Sequence, residues 1–255
     1  MGDPHAGITQ AETTIYNSFS AFTPVHAVTV AVCAMAMVWA VWIGRRWADT
    51  PREWRLRQSW CVFVLVWQVL ATAWWCWPTN FKADVSLPLH LCDVAGFLVP
   101  FALWTQHRWL RALLYFWAIG LSTQAFVTPV VTKGIAQTEF WVFWVGHTQI
   151  VGSAIYDIVV LRFRPAWRDY ASASVITVLY AAVVLPIDLL FGFHYGYVGR
   201  ALPDEQTILD KLPEWPWRLL VLAAIVQGDY LAIWLAWPAG RWIRRSLRRP
   251  KPTPR

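Results

Sequence analysis

Long apolar runs dominate the chain, and short clusters of arginine, proline and glycine break them at intervals. Seven runs can be marked, near 24–43, 59–77, 87–106, 109–128, 140–161, 172–192 and 217–240. Each approaches the roughly 20 residues a helix needs to cross about 30 Å of hydrocarbon. The pattern predicts an all-α fold: a polytopic membrane protein built as a bundle of about seven transmembrane helices. The first run is preceded by residues that include Asp3 and Glu12 but neither lysine nor arginine. A cleavable signal peptide carries a basic n-region, so this run is expected to stay as a helix. Residues 1–22 are then an extracytoplasmic segment, 23–242 the membrane domain and 243–255 a basic, disordered tail. No internal repeat of the kind seen in inverted-repeat transporters stands out.

Composition agrees with this class. Apolar residues make up 57% of the 255 positions, with 20 tryptophans and a mean hydropathy of +0.39, which a soluble domain seldom reaches. Charge then orients the bundle. Arg45, Arg46, Arg52, Arg55 and Arg57 fall between runs one and two, Arg108 and Arg111 between three and four, and Arg162, Arg164 and Arg168 between five and six. Arg241, Arg244, Arg245, Arg248, Arg249, Lys251 and Arg255 follow run seven, whereas the alternate connections hold only Lys82, Lys133, Arg200, Lys211 and Arg218. The positive-inside rule places the N-terminus outside and the C-terminus in the cytoplasm, in a multi-pass protein of a cell inner membrane. The net charge of +7 is thereby explained by loops beside anionic lipid, and nucleic acid is not an expected partner. Membrane lipids are. Trp42, Trp47, Trp77, Trp104, Trp109, Trp215, Trp217 and Trp237 sit near run ends, where an amphipathic ring suits the headgroup level.

Chemistry concentrates in Leu87-Pro88-Leu89-His90-Leu91-Cys92-Asp93. Ionisable groups in hydrocarbon cost several kcal/mol and are kept mainly where a bundle interior uses them, at about 2.5–3.5 kcal/mol for an aspartate. Read as a continuous helix, His90 and Asp93 share a face while Cys92 lies about 200° from His90. A base for Cys92 is therefore expected from another helix. His147 in run five is the candidate, at roughly 10 Å below the outer end of its helix against roughly 8 Å for Cys92. Gln124 and Thr128, spaced i and i+4 in run four, are expected to face the same cavity, although such groups also serve as interhelical glue. Asp188 and His194 belong to the same level. Asp157 is expected to meet Arg162 or Arg164, and Asp229 in run seven to seal a helix contact or bind a proton. The four cysteines, Cys33, Cys61, Cys76 and Cys92, form no Cys-x-x-Cys pair, and neither a metal site nor a cofactor is expected.

The string Leu87-Pro88-Leu89-His90-Leu91-Cys92, the Gln124-Ala125…Thr128-Pro129 turn, the Gly146-His147 pair and the late run Tyr195-Gly196-Tyr197…Leu209-Asp210…Trp215-Pro216-Trp217 resemble the YwaF-like bacterial integral membrane family. That family is related to eukaryotic transmembrane protein 164. The resemblance implies a lipid acyltransferase that uses a cysteine and a histidine, falling here on Cys92 and His147, with more distant relatives hydrolysing lipid esters. His194 stands where related bacterial chains carry asparagine, and Asp93 where a small polar residue is common.

The implied reaction is cysteine/histidine-dependent acyl transfer or lipid-ester hydrolysis on phospholipid acyl chains. His90 or Gln124 would donate to the developing oxyanion and Asp93 would orient a histidine. The competing reading is a transporter or proton-coupled protein built on His90, Asp93, His147 and Asp229. A retinal-type receptor would need a Schiff-base lysine in run seven, and none is present there.

Overall fold

A computed structural model describes residues 16–200 and 211–247, with only the backbone of 239–247. Among the described residues the helices set out in full are α1 (Pro24–Arg46), α2 (Pro51–Trp75), α3 (Leu91–Thr105), α4 (Arg108–Tyr115), α5 (Thr138–Val159), α6 (Trp167–Phe191) and α7 (Trp217–Leu247). No strand occurs among the described residues. Helices α1, α2, α6 and the Trp217–Pro238 part of α7 are long and apolar enough to cross a membrane. Local chemistry sets the starts. Thr23 accepts a bond from the His26 N–H to cap α1, and proline opens both α1 and α2, where its missing N–H costs nothing.

Two expected segments take a different form. Run three begins four residues late, at Leu91, because His90 is the extended N-cap and Pro88 biases Leu87 away from helical backbone. Run four breaks up after α4, into a π-helical turn at Phe116–Leu121 and a 3-10 turn at Ser122–Phe126. There Ser122 and Thr123 turn their hydroxyls back onto the carbonyls of Trp117 and Ile119, competing with the helical ladder. Helix α7 runs through Leu247, into the segment expected to be a disordered tail, whose remainder lies outside the described residues. Leu209 and Asp210 lie outside them as well.

All ion pairs among the described residues gather at one end of the bundle. Arg57 pairs with Glu53, Arg108 with Asp169, Arg111 with Asp157 and Arg162 with Asp49. Asp157 thus meets Arg111 at 2.8 Å rather than the expected Arg162 or Arg164, because α4 packs against α5 while Arg164 stacks on Trp237. Arg57 also donates to the Leu103 carbonyl, and Glu53 accepts from the Tyr156 hydroxyl. This network ties α2, α3 and α5 together at one level. Above it the core is filled by Val64, Ala95, Val99, Leu103, Leu114, Phe116, Ile150, Ala154 and Tyr230.

At the opposite end, residues 16–19 lie against the connection before α5. Phe19 donates to the Thr132 carbonyl at 2.7 Å and buries its ring beside Phe140 and Trp144. His26 fastens this segment. Its Nδ1 accepts from the Phe22 N–H at 3.0 Å while its Nε2 donates to the Phe126 carbonyl at 3.1 Å.

Candidate active site

The late start of α3 changes the setting of Cys92. Instead of lying a turn and a half inside a helix, it occupies the second position of the first turn. The first N–H groups of a helix have no intrahelical acceptor and carry the positive end of the dipole. The backbone N–H groups of Cys92 and Asp93 lie against its sulfur. Because His90 is outside the helix, its placement no longer follows helical spacing. The expected shared face of His90 and Asp93 is replaced by a cap: the Asp93 and Val94 N–H groups donate to the His90 carbonyl at 3.0 and 3.1 Å.

His147 lies on the α5 stripe that also carries Phe143, Ile150 and Ala154, spaced i−4, i+3 and i+7. Ile150 and Ala154 are buried in one core with Ala95 and Val99, and Cys92 packs against that core. The His147 ring itself packs on Phe143, 4.4 Å between centroids. Height agrees when counted from the ion-pair network. Cys92 stands eleven residues above Leu103, His147 ten above Asp157 and Tyr180 eleven above Asp169, which at 1.5 Å per residue puts all three about 15–17 Å up. The Nδ1 of His147 lies 2.8 Å from the Phe143 carbonyl. A carbonyl only accepts, so Nδ1 carries the proton and Nε2 is the free base. No hydrogen bond joins Cys92 to His147 among the described residues.

The far wall comes from α6 and the turn after it. The His90 ring lies 4.8 Å from Tyr195, 5.9 Å from His194 and 6.1 Å from Tyr197, between centroids. Asp188, 1% exposed, accepts from the Tyr195 and Gly199 N–H groups, each at 3.1 Å. Its carboxylate holds the turn that presents His194. Gly196 sits at φ +59°, and a side chain there would meet the Tyr180 hydroxyl. Burial pushes the Tyr195 phenol up to about 12, so it remains a donor, to the Ala83 carbonyl at 2.7 Å, while accepting from the Leu87 N–H at 3.0 Å.

Tyr180 was not anticipated from the sequence. Its hydroxyl donates to the Leu89 carbonyl at 2.6 Å, and it lies within electrostatic reach of Cys92, Asp93, Asp188 and Tyr197. Its spacing from Thr177 (i−3) and Asp188 (i+8), polar positions on one face of α6, was the available signal. The structure thus brings Cys92, Asp93 and Asp188 within reach of Tyr180 and His90 against His194 and Tyr195, with His147 apart on α5. Gln124 and Thr128 are not drawn in by any bond to this group. Gln124 is exposed on the 3-10 turn, and the Thr128 hydroxyl donates to the Gln124 carbonyl at 3.5 Å. Asp229 is elsewhere, its buried Oδ2 without a hydrogen-bond partner and against Gly120 of the π turn. Among the described residues no three of His, Cys, Asp and Glu stand close enough to share a metal ion.

The sequence model of the TMEM164 family matches residues 21–236, a span that includes every residue of this site. The chain belongs to the TMEM164 family. With its apolar helices, this makes it a membrane protein. No curated protein and no solved structure matches the chain.

Proposed function

We propose that this TMEM164 family member is a cysteine/histidine-dependent lipid acyltransferase or lipid-ester hydrolase acting on phospholipid acyl chains. What supports the reading is that Cys92 lies in the first turn of α3 and that His147 on α5, its Nε2 left as the free base, stands at a similar height when both are counted from the ion pairs. In the proposed step His147 Nε2 takes the Cys92 proton and the thiolate attacks an ester carbonyl carbon. The C–S bond forms, the ester C–O bond breaks, and the leaving lysophospholipid oxygen takes the proton from His147. A second nucleophile then cleaves the thioester: a lysophospholipid gives acyl transfer, and water gives hydrolysis. His90, Asp93 and His194, with Asp188 behind them, shape the polar mouth of this site.

Within the family we place the chain in the YwaF-like bacterial branch, on Leu87–Cys92, Gly146–His147 and Trp215–Trp217. The alternation of basic residues supports seven spans of a cell inner membrane with the N-terminus outside. The site then opens toward the outer half of the bilayer. The test is turnover of phospholipid vesicles by the purified chain, read as lysophospholipid and exchanged acyl chains. Turnover lost in both Cys92→Ser and His147→Ala supports the proposal, and turnover that survives in Cys92→Ser refutes it.

A second reading, proton-coupled transport, is favoured by one observation, the unpartnered Oδ2 of Asp229 at the π turn. Asp229→Asn would abolish transport and leave acyl transfer intact.

A further inference from the structure

The face of α3 below Cys92 lacks a side chain at Gly96, one turn along. Helical Cβ atoms tilt toward the N-terminus, and positions four apart have Cβ atoms about 5–6 Å from one another. The space where Gly96 would carry its Cβ is taken by the amide of Gln68 from α2. A Cβ built there would lie 2.8 Å from Gln68 Cδ and 3.3 Å from Nε2, with Oε1 nearer still. Any residue but glycine would therefore push this amide away.

Gln68 is 7% exposed, and its amide forms no hydrogen bond among the described residues. Pro100 offers no N–H to the Gly96 carbonyl, yet Gln68 does not bond that carbonyl either. The amide is thus free to bond a ligand, and its atoms are not among those sealed from access. Here it lies one helical step from the Cys92 Cβ and below the Leu91 and Cys92 N–H groups, the two at the start of α3 that donate to no carbonyl.

We infer that Gln68 is a catalytic residue whose amide N–H donates to the carbonyl oxygen of the acyl group attacked by Cys92, sharing the developing oxyanion with the N–H groups at the start of α3. The ligand it recognises is the carbonyl of a fatty acyl ester or thioester. This assignment rests on the acyl-transfer reading of Cys92. It stands in place of the donors expected from the sequence, His90 or Gln124, of which Gln124 is exposed on the 3-10 turn.

The test separates carbonyl chemistry from thiol access. The full chain in detergent micelles is treated with p-nitrophenyl octanoate, which needs an oxyanion donor, and separately with iodoacetamide, whose displacement forms no oxyanion. Mass spectrometry reads each adduct at Cys92. Gln68→Leu, which keeps the volume and deletes the donor, is expected to slow acylation about 10²- to 10³-fold, as for removal of one oxyanion donor, with alkylation within about twofold of wild type. Gly96→Ala, which displaces the amide, is expected to show the same selective loss. Acylation unchanged in Gln68→Leu overturns the assignment, and so does an equal fall in both reactions, which marks a packing role. Wild type that is alkylated but never acylated overturns the acyl-transfer reading itself, and the role of Gln68 with it.

Discussion

Asp188 gives a graded test of how the mouth of the site is held. Its two oxygens accept one backbone N–H each, from Tyr195 and Gly199 at 3.1 Å, in surroundings that leave it 1% exposed. A buried N–H deprived of its acceptor costs about 1–3 kcal/mol. Asp188→Ala strands both groups, for about 2–6 kcal/mol, whereas Asp188→Asn keeps one carbonyl oxygen and strands one, for about half. Arg218 still ties the Gly199 and Arg200 carbonyls, so the opening should stay within residues 193–199. Amide hydrogen exchange in nanodiscs reads it directly. At tenfold per 1.4 kcal/mol, exchange in the Tyr195–Gly199 stretch should rise roughly 10- to 100-fold in the asparagine variant and further in the alanine variant, with the α3 and α5 amides unchanged. Equal exchange in wild type and both variants would refute the role given to Asp188. An increase spread evenly over the bundle would refute its confinement to the turn.

The remaining predictions concern the two ends of the bundle. Asp157→Ala leaves Arg111 buried without its partner and should destabilise the protein by about 3–5 kcal/mol, whereas Asp49→Ala, in a pair 66% and 78% exposed, should cost no more than about 1 kcal/mol. Thermal unfolding in detergent distinguishes the two, and comparable losses would contradict the layout of the network. Phe19→Ala empties the niche formed by Phe140 and Trp144, with about 3–5 kcal/mol lost from the docking of this segment. Limited proteolysis should then cut near residues 16–22 while the helical circular dichroism signal stays constant, and protection equal to wild type would contradict the docking.

The seven helices were legible because apolar runs and arginine clusters report length and loop position directly. What the runs blurred was where backbone geometry departs from an uninterrupted helix. Pro88 just upstream of the polar cluster and Asp93 three residues after His90 are start signals for a helix at Leu91, but they are hidden inside a continuous apolar stretch. The π and 3-10 turns after Tyr115 accompany the backward bonds of Ser122 and Thr123, and they leave Gln124 exposed instead of on the inward face that a regular helix would have given it. The similar heights of Cys92 and His147 were readable from depth, and they stay similar with the corrected helix start when counted from the ion pairs. Tyr180 and Gln68 escaped notice because their importance lies in what touches them across the bundle: the Leu89 carbonyl in one case and a missing side chain at Gly96 in the other.

The central claim is that Cys92 becomes acylated, and intact-protein mass spectrometry in phospholipid liposomes tests it most directly. The account predicts a fatty-acyl adduct on Cys92 that hydroxylamine removes, that forms only when His147 is present and that is absent from Cys92→Ser. A chain that carries no such adduct and turns over no lipid, while its bundle is intact, would contradict it.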